Sequence, residues 1–72
     1  MELRFTGHAL QRMEDARLTT DDVAHIIEHA EQTLLGTTAD EYDATVRGTL
    51  YRVVVVKDSE PPLIVTVHEV RQ

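Results

Sequence analysis

Apolar residues recur every three to four positions near the start of the chain and predict a first helix. Thr6 is placed to cap its N-terminus, because a threonine hydroxyl can accept a hydrogen bond from the free amides of the first turn. The helix is predicted to run to about Arg17, and its apolar side carries Ala9, Met13 and Ala16, with Leu10 adjacent. Residues 2–5 alternate polar and apolar, which fits a short strand or an extended lead-in.

A second helix is predicted to begin at Thr19-Thr20-Asp21-Asp22. A threonine cap followed by aspartates satisfies the free amides of the first turn and complements the helix dipole. The buried stripe of this helix consists of Val23, Ile26, Ile27 and Ala30, which repeat at helical spacing. Gln32 to Leu35 are predicted to lead out of the helix into a turn at Gly36-Thr37-Thr38.

In the second half of the chain the apolar period changes to two, which predicts strands. Residues 41–47 alternate as a half-buried strand does, and the tight connection Arg47-Gly48 predicts a hairpin to the strand Leu50–Lys57. That strand contains four consecutive valines, and it is expected to be central and covered on both faces. A loop with two prolines follows, and Leu63–Val70 is predicted to be the last strand.

The order of these elements predicts an α+β domain with two layers, in which two N-terminal helices pack on a three- to four-stranded antiparallel sheet. Strict alternation along the last strand puts one set of residues (Leu63, Val65, Val67) on one face and a second set (Ile64, Thr66, His68, Val70) on the other. We expect the all-apolar sets to face the helices. Arg52, Thr66 and His68 are then expected to point to the open face of the sheet.

Length and charge set bounds on function. The 72 residues make one domain, and the formal net charge is −6. A domain of this size buries only about 60% of its unfolded surface, so a dimer or a bound partner would add useful stability. The acidic balance argues against broad, charge-driven binding to nucleic acid but allows a local basic site. The absence of cysteine, of a long apolar run and of a secretion signal favours a cytoplasmic protein without membrane contact.

Five residues are candidates for a functional site: His8, Arg12, Arg52, Thr66 and His68. The four-residue spacing of His8 and Arg12 puts both side chains on one helix face. A histidine can take the proton of a ribose 2′-hydroxyl, and arginine can stabilise the charge that develops on phosphate, with no metal or thiol. The same residues are also compatible with plain anion binding, with a solvated helix face that includes Asp15, and with pairing of Arg52 to a carboxylate on the strand of Asp43.

His25 and His29 are one turn apart on the second helix and are a further candidate, for a metal ion. They fall on the side of the helix that is predicted to meet solvent, together with Asp22. The spacing supplies no third ligand, so this hypothesis is weaker than the first, and no cofactor is expected.

The segment Phe5-Thr6-Gly7-His8-Ala9-Leu10-Gln11-Arg12-Met13, with Arg17-Leu18-Thr19 and the later Ile64-Val65-Thr66-Val67, resembles the DUF4258 family, a domain of unknown function. The resemblance covers nearly the whole chain. This family is grouped with small RelE/ParE-like toxin folds of the barnase–colicin–RelE ribonuclease architecture. The resemblance therefore implies two helices packed on an antiparallel sheet, and metal-independent ribonuclease activity.

By position, the resemblance assigns His8 and Arg12 to the family's helical motif and Thr66 to its last strand, whereas Arg52 and His68 come from the chemistry alone. The predicted function is a RelE-like, toxin-type endoribonuclease that cleaves RNA by 2′-hydroxyl attack and has an antitoxin protein as partner. His8 or His68 would act as base or acid, and the two arginines would hold phosphate. The alternative is a non-catalytic small binding module of the same fold, which could form a homodimer. The acidic charge favours this alternative, because toxins of the fold are usually basic.

Overall fold

The computed structural model describes residues 1–71, which form two helices and one sheet. The helices are α1 (Gly7–Ala16) and α2 (Thr20–Glu28). The strands are β1 (Arg4–Phe5), β2 (Gln32–Leu35), β3 (Ala39–Val46), β4 (Thr49–Val56) and β5 (Leu63–Glu69). The sheet has five strands in the order β1-β5-β4-β3-β2. The α+β class is confirmed, and no helix within residues 1–71 is long and apolar enough to cross a membrane.

Both edges of the sheet differ from the prediction. At one edge β1 pairs in parallel with β5, with Arg4 opposite Leu63 and Phe5 opposite Ile64. At the other edge β2 pairs antiparallel with β3 and occupies the segment that was expected to lead out of the second helix. The sheet is therefore five-stranded and mixed, and the prediction of three or four antiparallel strands is wrong in these details. All four residues of β2 are exposed, so no alternation of burial marks this strand in the sequence.

The N-termini of both helices are capped as predicted. The Ala9 N–H donates to Thr6 Oγ1 at 3.0 Å. At α2, the Asp22 N–H donates to Thr19 Oγ1 at 3.0 Å and the Thr19 N–H donates to Asp22 Oδ2 at 2.8 Å, which makes a reciprocal capping box. α1 ends at Ala16 and is capped by Arg17, whose φ of 58° is left-handed and turns the chain toward α2. These caps fix the helix boundaries and hence which side chains meet the sheet.

The core lies between the helices and one face of the sheet. The predicted buried stripes are confirmed for Ala9 and Met13 on α1 and for Val23 and Ile26 on α2. The sheet contributes Ala44, Val46, Val53, Val55, Ile64 and Val67. The alternate valines of β4 are half-buried, and no helix within the described residues packs on that second face. The prediction that β4 is central is confirmed, but the expectation that both of its faces are covered is wrong.

A β-bulge interrupts the alternation along β5. Val54 pairs with Thr66, but the next residue, Val55, pairs with Ile64, so Val65 is an extra residue in β5. Because of this shift, Ile64 and Val67 both point into the core although they are three residues apart. Thr66 and His68 point to the other face, as predicted. The prediction that Ile64 shares their face is wrong, because strict alternation cannot anticipate a bulge.

Candidate functional site

The N-terminus of α1 is fixed to the bulge of β5 through Thr6. The Thr6 N–H donates to the Ile64 carbonyl at 3.0 Å, and the Thr6 hydroxyl donates to the Val65 carbonyl at 3.1 Å. The same hydroxyl accepts the capping hydrogen bond of α1, so one side chain both starts the helix and attaches it to the last strand. As a result α1 lies along β5.

His8 and Thr66 meet just beyond this attachment point, two residues after Thr6 and one residue after Val65. His8 Nε2 lies 3.1 Å from Thr66 Oγ1, and the contact is exposed to solvent. A hydrogen bond to one ring nitrogen restricts the orientation of the imidazole and leaves the other nitrogen available. The pair therefore presents an oriented histidine at the seam between α1 and β5.

Arg12 and His68 come together farther along the same seam. Both side chains line a shallow depression of about 360 Å³, whose other lining residues are Asp15, Ala16, Tyr51, Val67 and Glu69. His8 precedes Arg12 by one helical turn, and Thr66 precedes His68 by two strand positions on the same face. Four of the five predicted site residues therefore lie along one seam, where helix and strand bring together residues from the two ends of the sequence.

These four side chains include the groups that acid–base chemistry on a phosphodiester needs. Histidine can carry or release a proton near neutral pH. The guanidinium of Arg12 can donate two parallel hydrogen bonds to a phosphate. Asp15 and Glu69 line the same depression, so their carboxylates reduce the positive potential that Arg12 supplies. The depression therefore combines one guanidinium and one imidazole with two carboxylates.

Arg52 is engaged elsewhere on the sheet. Its Nε and Nη2 donate to the two carboxylate oxygens of Asp43, both at 2.9 Å, and Glu41 Oε1 lies 3.2 Å from Nε. The hydrogen bonds that Arg52 donates to Asp43 raise the pKa of Arg52 above its ordinary value. Asp43 is only 4% exposed and depends on this partner for compensation of its charge. Arg52 lies opposite His68 across the β4–β5 pair, but its guanidinium is paired with the carboxylate of Asp43 on β3.

His25 and His29 lie side by side at the end of α2, and their rings contact each other. Their ring centroids are 4.9 Å apart with an interplanar angle of 35°. Within residues 1–71, no group of three histidine, cysteine, aspartate or glutamate side chains is arranged to hold a metal ion. Both rings are exposed, as the solvated-face interpretation expects.

Sequence reasoning did not assign Tyr51 and Glu69 to the site. They are cross-strand partners on β4 and β5, and both line the depression with Arg12 and His68. The signal that would have found them is the register between these two strands. Turn geometry and the bulge at Val65 set that register, and neither can be read from the apolar pattern.

Comparison with known protein families gives one match for this chain. Residues 5–69 match the family described as DUF4258, a domain of unknown function. No curated protein and no solved structure matches the chain. The matched range contains both helices, four strands in full and the end of β1, so it includes every candidate site residue. The chain therefore belongs to the DUF4258 family.

Proposed function

We propose that this protein is a small RelE-like, toxin-type domain that cleaves RNA without a metal ion, by attack of a ribose 2′-hydroxyl on the adjacent phosphate. The observation that carries the proposal is the position of two pairs along the seam between α1 and β5: His8 is hydrogen-bonded to Thr66, and Arg12 and His68 line one depression. The proposal includes a cytoplasmic location and an antitoxin protein as partner.

The proposed cleavage requires two proton transfers and stabilisation of the negative charge that develops on the phosphate. One histidine of the pair His8 and His68 accepts the 2′-hydroxyl proton as the oxygen attacks phosphorus, and the other donates a proton to the leaving 5′-oxygen. The products are a 2′,3′-cyclic phosphate and a 5′-hydroxyl. Arg12 holds the phosphate oxygens, and the hydroxyl of Thr66 orients His8. Arg52 acts indirectly, because it compensates Asp43 and supports the strand position opposite His68.

A cleavage assay tests this proposal directly. Purified protein is incubated with a labelled single-stranded RNA in EDTA over a broad pH range, and the products are examined for a cyclic phosphate end. We expect cleavage, and a loss of about 10²- to 10⁴-fold in the His8→Ala and His68→Ala variants. His29→Ala is the matched control, because His29 is exposed at the end of α2, away from the seam. Intact RNA at every pH, or equal rates in all three variants, would contradict the proposal.

A non-catalytic binding module of the same fold is the second candidate function. The observation that favours it is the presence of the Asp15 and Glu69 carboxylates in the depression, in a chain whose net charge is −6. Both features oppose the approach of a polyanion. Under this alternative, RNA stays intact and induced expression leaves growth unchanged. The purified protein still binds a partner, and substitution of Arg12 by alanine weakens that binding.

A further inference from the structure

The sheet has two edges, and they are protected very differently. At the first edge β1 covers the start of β5, and beyond it Thr6 and His8 of α1 bond to Val65 and Thr66. At the second edge β2 has a hydrogen-bonded neighbour on one side, β3, and within residues 1–71 none on the other. An edge strand leaves the N–H and C=O groups of alternate residues directed outward and unpaired. The outer edge of β2 is therefore where a further strand can join the sheet.

The side chains of β2 do nothing to discourage such pairing. Natural edge strands are commonly protected by lysine, proline or inward-pointing charges. From Gln32 to Ala39 the chain carries no charge and no proline. Leu34 is 44% exposed and Leu35 is 75% exposed, and as neighbours in a strand they point to opposite faces of the sheet. A joining strand would cover apolar surface on both faces.

We propose that β2 is the surface through which two copies of this chain associate, by antiparallel addition of β2 of one copy to β2 of the other. The result is a continuous sheet that spans both copies. The charge distribution around β2 favours a second copy of this chain over a basic segment of another protein. A basic segment would find no carboxylate on β2 itself. The nearby carboxylates are already engaged: Asp40 with Lys57 at 3.0 Å, Glu41 with Arg52 at 3.2 Å, and Glu31 with the Thr45 N–H at 2.8 Å. Most surfaces of two copies with net charge −6 repel each other, but this uncharged strand can approach its own equivalent without a like-charge contact.

The pleat of the sheet restricts the register. Two antiparallel copies of one strand in a continuous sheet are related by a twofold axis normal to the sheet. Opposite residues share a face, so some residue must stand opposite its own equivalent. With Leu34 opposite Leu34 of the other copy, Thr33 faces Leu35 and Gln32 faces Gly36, and every pair is uncharged. The next register, with Thr33 opposite itself, puts Leu35 against Glu31. A third register, with Leu35 opposite itself, has no charged pair either, but it places Gln32, Thr33 and Leu34 opposite residues 36–38, which lie outside β2. The Leu34-centred register pairs three of the four residues of β2 within the strand and keeps Leu35 away from Glu31, and it is the one we infer.

The contact is small, so the dimer is expected to be weak. Four residues per strand cover much less than the roughly 1,000 Å² that a stable interface needs. Association should therefore depend on concentration and show itself as a monomer–dimer equilibrium. The experiment needs no RNA, so its result does not depend on the ribonuclease proposal.

Sedimentation over a wide concentration range tests the association. The wild-type mass should rise toward that of a dimer with concentration, whereas Leu34→Lys should stay monomeric, because two lysines would face each other at the twofold axis. Leu10→Lys is the matched control, since Leu10 is similarly exposed on α1 and should leave association intact. Circular dichroism and thermal unfolding establish that each variant folds. A wild type that is monomeric at all concentrations, or equal association of wild type and Leu34→Lys, would overturn the proposal.

Disulfide cross-linking tests the register. The chain has no cysteine, so an introduced cysteine is the only thiol that can react. A single Leu34→Cys variant should form a disulfide-linked dimer at least about tenfold faster than Leu10→Cys, because directly opposite residues satisfy disulfide geometry. Urea should abolish the difference. If Thr33→Cys cross-links faster than Leu34→Cys, the register is the alternative one and the Leu34-centred pairing is wrong.

Discussion

His8 and Thr66 are joined by a hydrogen bond of 3.1 Å between residues that are 58 positions apart in the chain. The bond connects the first turn of α1 to the residue that follows the bulge of β5. Because the contact is exposed, it contributes little to the stability of the fold, and its main effect is to orient the imidazole. A change at this bond is therefore expected to affect the proposed chemistry of the seam and to leave the packing of the core unchanged.

The first prediction concerns this orientation. Thr66→Val removes the hydroxyl but keeps the shape of the side chain, and we expect kcat for RNA cleavage to fall by about ten- to a hundredfold as the imidazole loses its fixed position. Thr66→Ser retains a hydroxyl and should keep most of the activity. Both variants should unfold at nearly the wild-type temperature. Equal kcat for the two variants would remove Thr66 from any positioning role.

The second prediction tests the bulge. Ile64→Ala should lower the free energy of unfolding by about 2–5 kcal/mol, because Ile64 is fully buried in the core. Val65→Ala removes atoms from the extra, half-buried residue next to it and should cost about 1 kcal/mol or less. Strict alternation predicts the reverse order. Urea denaturation of the two variants distinguishes these arrangements.

The third prediction concerns the buried carboxylate of β3. Arg52→Met leaves Asp43 without its two hydrogen bonds, and we expect a loss of about 1–3 kcal/mol in unfolding free energy. Glu41→Gln should change the free energy by less than about 0.5 kcal/mol, since Glu41 is much more exposed. The double variant Arg52→Met/Asp43→Leu should recover most of the loss, because no uncompensated charge remains. A double variant as unstable as the single one would contradict this account.

The fourth prediction is a dependence on pH that arises at α2. The hydrogen bond from Arg47 and the capping amide of Thr19 lower the pKa of Asp22 from 3.8 to about 2. A carboxyl whose pKa is depressed by folding stabilises the protein above the unfolded pKa, and this contribution is lost as the pH falls from about 4 to about 2.

The test compares wild type with Arg47→Asn, which suits the left-handed φ of 48° at this turn position. Thermal unfolding should show the largest difference between the two proteins above pH 4, and the difference should shrink toward pH 2. The same difference at every pH would mean that the Arg47–Asp22 pair does not stabilise the fold through its charge.

The helices and the core could be predicted because their signals are local. Thr6 and Thr19 mark the helix starts through amides within their own first turns, and the apolar repeats mark the buried faces. β2 escaped prediction because its residues are all exposed and only pairing with β3 makes it a strand. The bulge could not be predicted either, because it depends on how β4 and β5 pair with each other.

The candidate site was predictable in its residue types but not in its geometry. The spacing of His8 and Arg12 placed both on one face of α1, but their meeting with Thr66 and His68 depends on how α1 lies along β5. The engagement of Arg52 was one of two interpretations that the sequence left open, and the register that sets Asp43 opposite Arg52 decides it. The carboxylates of the depression became visible only with the fold.

The pairing of β1 with β5 has a consequence for the order of folding. The hairpin of β3 and β4 and the helix α2 depend on contacts close in sequence and can form early. The pairing of Arg4 with Leu63 must close a loop that spans most of the chain, which is slower and has a larger entropic cost. The contact between His8 and Thr66 closes a loop of nearly the same length. The seam is therefore among the last parts of the molecule to assemble, and a partly folded chain, however helical, would lack the proposed site.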